Sequence, residues 1–211
     1  MFEFLFALLV AITIHEYAHA WMAVRLGDPT PKLLGRLTLN PIAHLDPLGT
    51  LLPVMLILTG SPIIFGWGKP VRFDPYNLEN PKRDAALISF AGPASNLILA
   101  SLLSLILRFS TQPFSPFYFL AGIIPPLIIL NIILALFNLL PIHPLDGGKI
   151  LIGILPPKDA VKVERFLNQY GILILLFLIF PVFGGRSLIS MILFPALNFL
   201  LSIYLPNGGI V

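Results

Sequence analysis

Apolar residues occur along this chain in long continuous runs rather than in short alternating stretches. The runs cover residues 2–25, 48–65, 85–107, 117–140, 170–181 and 188–205, and polar segments rich in proline and glycine separate them. An uninterrupted apolar run of about 20 residues is typical of a helix that crosses the bilayer, because lipid offers the backbone no other hydrogen-bond partner. The pattern predicts an all-α integral membrane protein, a polytopic helical bundle of about five to six apolar segments.

The amino-acid composition agrees with a location in the membrane. Hydrophobic residues make up 57% of the chain and charged residues only 11%, whereas a soluble domain carries about 25% charged residues. The net charge of +3 is small and lies mostly in the loops, which argues against a nucleic-acid partner. The chain has no cysteine, which excludes disulfides, thiol nucleophiles and thiolate metal ligands.

The first apolar run could be mistaken for a secretory signal peptide. Its start, however, contains Glu3 and no lysine or arginine, so the positive charge expected of a signal peptide is missing. We therefore predict that residues 2–25 form a retained transmembrane helix, about 36 Å long at 1.5 Å per residue.

This first helix carries the motif His-Glu-x-x-His. Side chains four positions apart lie on one face of a helix, so His15 and His19 can bind the same metal ion. Glu16 lies beside the pair, where its carboxylate can act as a base on water rather than as a ligand. The alternative is two interfacial histidines on a helix that needs polar contacts. Because polar and charged groups inside an apolar span are costly and usually functional, the motif favours a metal site.

A third metal ligand is expected from the end of the 117–140 run. Pro141 and Pro144 should break the helix there, so that Asp146 is presented from a non-helical segment near membrane depth. A metal ion bound by two histidines needs one more protein ligand, which leaves an open position for water. Asp146 fits this need, and His143 is the alternative ligand.

The polar segment after the first helix offers fewer clues. We predict short strands at 33–39 and 69–73, which could hold an extended peptide by edge pairing. His44 and Asp46 could be additional metal ligands, although a turn in front of Pro47 is the favoured interpretation.

The orientation of the bundle depends on residues 48–65, which proline and glycine interrupt. If this segment enters the membrane and returns on the same side, the loops 26–84 and 149–165 share one face, which with Arg25 carries eleven of the thirteen lysines and arginines. If it spans, the division becomes eight against five. The positive-inside rule favours re-entry. We therefore predict a multi-pass protein of the cell (inner) membrane with the motif-bearing loops in the cytoplasm.

Three motifs follow one another within these apolar runs. They are His-Glu-Tyr-Ala-His at 15–19, Gly-Pro-Ala-Ser-Asn at 92–96, and Asn-Leu-Leu-Pro-Ile-His-Pro-Leu-Asp-Gly-Gly at 138–148. In this order they resemble the site-2 protease family of intramembrane zinc metalloproteases, over about residues 8–155. The segment Gly-Arg-Leu-Thr-Leu-Asn-Pro at 35–41 is similar to the compact prokaryotic branch, which has neither a PDZ nor a CBS domain.

The resemblance implies a zinc ion, one per chain, and a set of residues that serve it. The metal ligands it implies are His15, His19 and Asp146. It further implies Glu16 as general base and acid, Asn138 near the scissile carbonyl, and Asn96 in the core of the site.

The sequence therefore predicts an intramembrane zinc metalloprotease that hydrolyses peptide bonds of transmembrane proteins or peptides. We expect residues 1–211 to form one membrane-embedded domain, with a catalytic core at about 1–155 and a helical hairpin at about 166–205. The expected partners are the substrate and the lipid bilayer. A catalytically silent membrane scaffold and a metal-transporting membrane protein are the alternatives. The intact motif residues disfavour the scaffold, and the absence of an internal sequence repeat disfavours the transporter.

Overall fold

Helices form all the regular structure in residues 2–60, 66–180 and 187–206, which the computed structural model describes. The α-helices are α1 (Phe2–Arg25), α2 (Thr30–Leu33), α3 (Pro47–Leu58), α4 (Pro81–Ser110), α5 (Ile124–Asn138), α6 (Asp146–Ile154), α7 (Pro157–Ile179) and α8 (Leu188–Tyr204). Short 3₁₀ helices lie at Pro41–His44, Pro75–Asn77 and Tyr118–Gly122. The predicted all-α class is confirmed over these residues. Of the described helices, α1 and α4 are long and apolar enough to cross a membrane, whereas α3, α5 and α8 are apolar but shorter.

One face of α1 buries every fourth side chain. Ala7, Ala11 and Ala23 are fully buried, and His15 and His19 continue the same row. Small side chains let neighbouring helices approach closely in a membrane bundle. The row therefore places both imidazoles where α1 meets α4 and α5.

Helix α4 lies at the centre of the bundle and packs against α1, α5 and α6. Its first residue is a proline, which suits the start of a helix because the missing N–H would have no helical partner there. Asp84 accepts a hydrogen bond from the Asn80 N–H just before the helix. Further along, the main hydrophobic core joins α4 to α5 and to the end of the α8 region through the buried residues Ala100, Leu107, Ile124, Ile128, Ile132, Leu201 and Leu205.

A buried aspartate ties the loop after α1 to the loop before α4. Asp28 accepts hydrogen bonds from the backbone and hydroxyl of Thr30, from the Asn77 amide and from the Asp74 N–H. Burial alone would raise the pKa of this carboxyl, but the hydrogen bonds outweigh burial and hold the pKa below its usual value. The charged form of Asp28 therefore fixes these two loops to each other.

The strands predicted at 33–39 and 69–73 are wrong. Leu33 ends α2, and Gly35 adopts a φ of +67°, a left-handed conformation that an extended strand does not contain. Among the described residues, the only β-type pairing outside the helices is an isolated antiparallel bridge between Leu45 and Gly68.

The polar segment 149–165 is helical instead of forming the expected loop. Asp146 is the first residue of α6 and does not lie in a non-helical segment as predicted. The backbone of Gly147 packs directly on the carbonyl oxygens of Leu139 and Leu140, with no room for a side chain. Gly147 and Gly148 therefore let α6 start close to the chain segment that follows α5. The prolines at 141 and 144 predicted only that the preceding helix would end.

The run predicted at 117–140 yields a shorter helix than expected. The α-helix begins only at Ile124, after the 3₁₀ helix at Tyr118–Gly122. Pro125 and Pro126 occupy its first turn, where a missing N–H breaks no helical hydrogen bond.

Candidate metal centre

His15, His19 and Asp146 come together although 131 residues separate the first from the last. One ligand atom from each lies within 4.8 Å of the others. The Nε2 atoms of His15 and His19 are 3.1 Å and 3.2 Å from Asp146 Oδ2. The two rings meet edge to face, with centroids 4.5 Å apart. Helix α1 supplies the two rings one turn apart, and the start of α6 supplies the carboxylate.

The other nitrogen of each imidazole is held by a hydrogen bond. His15 Nδ1 is 2.7 Å from Asn96 Oδ1, and His19 Nδ1 is 2.7 Å from the carbonyl oxygen of Ile88. A backbone carbonyl can only accept, so the proton of neutral His19 lies on Nδ1. When both rings are neutral and carry the proton on Nδ1, their Nε2 lone pairs face Asp146 and are available to a metal ion. Metal-binding histidines commonly hold the second ring nitrogen in this way.

This donor set fits a zinc ion. Two imidazole nitrogens and one carboxylate oxygen are a usual protein ligand set for catalytic zinc, and they leave one position for water or substrate. The exposed fractions of His15 and His19 are 5% and 8%, so a bound ion would be largely shielded from bulk solvent.

Gly92 lets the backbone of α4 lie directly against both rings. A Cβ atom at this position would stand 2.5 Å from Cε1 and Nε2 of His19 and 2.7 Å from Cε1 of His15. Real side chains do not tolerate such distances, so any larger residue at position 92 would displace the imidazoles. The glycine of the 92–96 motif is thus explained by contact with the two imidazole rings.

Glu16 lies beside this group but is held by a different part of the chain. Its Oε2 accepts a hydrogen bond from the Val71 N–H, at 2.9 Å. The segment 66–71 that carries this donor is fixed in turn by the buried Arg36. The Arg36 guanidinium donates to the carbonyl oxygens of Lys69 and Pro70, at 3.1 and 3.2 Å, and also to that of Ala43. The position of the Glu16 carboxylate therefore depends on a loop far from it in sequence.

The two asparagines predicted at the site have different surroundings. Asn96 is fully buried and holds the His15 ring through a hydrogen bond to Nδ1, so it is not free to touch a substrate. Asn138 is half-buried at the end of α5, and its Nδ2 donates to Leu134 O of the same helix, at 3.0 Å. One of its two amide hydrogens is used by this bond.

The remaining polar candidates lie outside the metal group. His44 is buried and donates from Nε2 to Thr38 O, at 2.7 Å. Asp46 caps α3 by accepting from the Gly49 N–H, at 2.8 Å. His143 lies in the turn before α6, and its carbonyl oxygen packs against Gly171 of α7.

Sequence reasoning missed Arg36, Val71 and Asn131 as supports of the site. Arg36 and Val71 act through backbone groups, which a sequence pattern does not reveal. Asn131 is a fully buried amide within an otherwise apolar helix, and it bonds to Asn96 at 2.7 Å. A lone asparagine in a membrane-type helix was the one signal that could have indicated it.

The site contains two imidazoles and one carboxylate whose ligand atoms converge, and a second carboxylate lies beside them. This arrangement defines the mononuclear site of a metal-dependent hydrolase. The sequence comparisons agree with this class. The sequence model described as Peptidase family M50 matches residues 3–124 and 114–178. The chain belongs to this family, and the predicted membership of the site-2 protease group is confirmed.

Several curated relatives carry names of the same kind. The "Putative zinc metalloprotease YwhC" of Bacillus subtilis is 40% identical over 196 residues, which cover 90% of this chain and 84% of that protein. The "Putative zinc metalloprotease Rip2" of Mycolicibacterium smegmatis is 35% identical over 81% of this chain and 64% of its own length. Its namesake in Mycobacterium tuberculosis is 34% identical over 84% of this chain and 66% of its own length. No solved structure matches the sequence significantly. The chain is accordingly a zinc-dependent metalloprotease, as predicted.

Proposed function

We propose that this protein cleaves peptide bonds of transmembrane proteins or peptides by means of a zinc site inside the membrane. One observation carries the proposal. His15, His19 and Asp146 converge at a buried position on a helix that is long and apolar enough to cross a membrane. A metal site placed at this depth serves a substrate that lies in the bilayer.

The proposed roles of the residues follow from their contacts. His15, His19 and Asp146 would hold the ion, and zinc bound there would lower the pKa of water to about 7 and polarise the substrate carbonyl. Asn96 and the Ile88 carbonyl keep the two rings in position through their Nδ1 atoms. Glu16 takes a proton from the attacking water and passes it to the leaving amine.

Asn138 is the proposed donor to the carbonyl oxygen of the scissile bond. Its amide nitrogen has two hydrogens, and the bond to Leu134 O uses only one. In other hydrolases the loss of one such donor raises the activation free energy by about 2.7–4 kcal/mol. The substrate has to unwind locally before this contact can form, because an intact helix engages its own carbonyl oxygens in hydrogen bonds.

We also propose that the segment 48–65, of which residues 61–65 lie outside the described residues, re-enters the membrane and does not span it. Helix α3 has 12 residues, about 18 Å at 1.5 Å per residue, which is too short for a hydrocarbon core of about 30 Å. The chain then returns to the start of α3, where the Trp67 N–H donates to Gly49 O at 3.3 Å. Re-entry leaves eleven of the thirteen lysines and arginines on one face, which is then the cytoplasmic face of a multi-pass inner-membrane protein.

Cysteine labelling tests this topology, because the natural chain contains no cysteine. We expect a Lys69→Cys variant to react with a membrane-impermeant maleimide only after the cells are permeabilised. Gln112→Cys, an exposed position beyond the far end of α4, is the matched control and should react in intact cells. Labelling of Lys69→Cys from outside would contradict the proposed topology.

The protease activity is tested with purified protein in lipid vesicles and a peptide that has a single transmembrane segment. We expect cleavage of the peptide to stop when a chelator removes the metal and to return when zinc is added. The reason is that the proposed hydrolysis depends on the metal ion that His15, His19 and Asp146 would hold. Zinc bound at one ion per chain without cleavage of any such peptide would favour a silent scaffold. Metal flux into the vesicles without cleavage would favour a transporter.

A further inference from the structure

We propose that Asn131 is a positioning residue for the metal centre, acting through Asn96 on the orientation and tautomer of the His15 ring. Asn131 does not touch the metal ligands itself. The inference rests on the proposed ligand set, because Asn131 can influence metal binding in this way only if His15 binds the ion through Nε2.

A continuous chain of hydrogen bonds connects Asn131 to His15 across three helices. Asn131 of α5 and Asn96 of α4 are both fully buried. The Asn96 Nδ2 donates to Asn131 Oδ1, at 2.7 Å, and the Asn96 Oδ1 accepts from His15 Nδ1 of α1, also at 2.7 Å. Three side chains that are distant in sequence therefore form one buried polar row in an apolar bundle.

Two backbone carbonyl groups fix the direction of this row. The Asn96 Nδ2 also donates to Ala11 O, at 3.0 Å, and the Asn131 Nδ2 donates to Leu127 O, at 2.8 Å. A carbonyl oxygen can only accept, so neither amide can be turned over without setting oxygen against oxygen. Asn96 therefore presents its oxygen to His15, the ring proton lies on Nδ1, and Nε2 keeps its lone pair for a metal.

Asn131 completes the set of acceptors around the Asn96 amino group. The group has two hydrogens, and Ala11 O takes one while Asn131 Oδ1 takes the other. Without Asn131, one buried N–H would lose its partner, and the reversed orientation of the Asn96 amide would become less unfavourable. In that reversed orientation an amino group would face His15 Nδ1 and would favour the tautomer whose Nε2 carries a proton and cannot bind metal.

A purely structural role makes a different prediction. Buried asparagines also join helices in membranes by hydrogen bonds across the interface. If Asn131 served only to join α4 and α5, its loss would lower the thermal stability and leave the zinc affinity and the His15 tautomer unchanged.

The experiment compares zinc affinity, measured by competition with a chelator in detergent, among three variants. We expect Asn131→Leu to weaken zinc binding about 10-fold, the lower end of the 10–100-fold effect of residues that support metal ligands. Asn131→Asp, protonated at this buried position, keeps an oxygen acceptor for Asn96 and a hydroxyl donor for Leu127 O, so it should bind zinc nearly as tightly as the natural protein. Ser104→Ala is the matched control, because it removes a buried hydrogen bond from Ser104 Oγ to Tyr204 O without touching the row. It should lower the melting temperature but not the zinc affinity.

A second measurement reads the tautomer directly. In the zinc-free protein, nitrogen NMR of labelled histidine should show His15 protonated on Nδ1, and Asn131→Leu should reduce this form while Ser104→Ala should not. Unchanged zinc affinity and an unchanged tautomer in Asn131→Leu would overturn the inference. Because neither measurement uses a substrate, a failure to find proteolysis would leave this test intact. Failure of the natural protein to bind zinc would overturn the ligand set and the inference together.

Discussion

Replacing Glu16 with glutamine is expected to lower kcat/KM for peptide cleavage by about 10²–10⁴-fold, the usual contribution of a general base. Zinc should remain bound at one ion per chain, because Glu16 lies outside the group formed by His15, His19 and Asp146. A glutamine oxygen can still accept the hydrogen bond from the Val71 N–H, so the loop beside the site should stay in place. The measurement is a cleavage assay with metal analysis on the same sample.

Glu3→Gln provides the matched control for this variant. Glu3 lies in the first turn of the same helix and is exposed, so its replacement changes the charge of α1 by the same amount far from the site. It should cleave at the rate of the natural protein. If Glu16→Gln retained more than about a tenth of the activity, well outside the range expected for a general base, Glu16 would not be the base.

Replacing Asp146 with alanine should release the metal. Residues that only support a ligand already change metal affinity 10–100-fold, so the loss of a ligand itself should weaken zinc binding by more than about 100-fold. Cleavage should be lost with the metal, and excess zinc should restore it poorly, because two imidazoles alone remain to hold the ion. Zinc content after dialysis and the zinc concentration needed for half-maximal activity are the quantities to measure.

Asp159→Asn is the control that distinguishes the loss of a metal ligand from the loss of a negative charge in the first turn of a helix. Asp146 and Asp159 both lie in the first turn of a helix, in α6 and α7, where a negative charge is stabilised by the helix dipole. Only Asp146 faces the imidazoles. Equal zinc loss in both variants, or full zinc retention in Asp146→Ala, would remove Asp146 from the ligand set.

The hydrophobic pattern and the motif spacing correctly predicted the first helix and the position of its two histidines on one face. The helix predicted at 2–25 is observed over the same residues, because the run contains no proline or glycine and Gly27, with a φ of +107°, follows its end. The spacing within the 15–19 motif placed two rings on one face, which any helix of this geometry would do. The motif order also indicated that Asp146 would be near them, and the structure brings the three together.

Features that depend on contacts between distant segments were not predicted from the sequence. The strand expected at 33–39 was inferred from residue types. In the structure, Gly35 adopts a left-handed backbone conformation, and the Arg36 side chain donates hydrogen bonds to backbone carbonyl oxygens of a distant loop. The start of α6 at Asp146 depends on two glycines, of which Gly147 fits against Leu139 and Leu140 and Gly148 against Ile142 and His143. The role of Val71 depends on a backbone N–H, which every residue except proline possesses. Such features leave little trace in residue type.

The close approach of α4 at Gly92 also decides from which side a peptide can reach the zinc ligands. The helix backbone closes that flank, since even a single methyl group there would collide with both rings. A scissile bond must therefore reach the two rings from a side other than that of α4. Discrimination between substrates would then rest with residues outside α4, which acts as a fixed wall on one flank of the site.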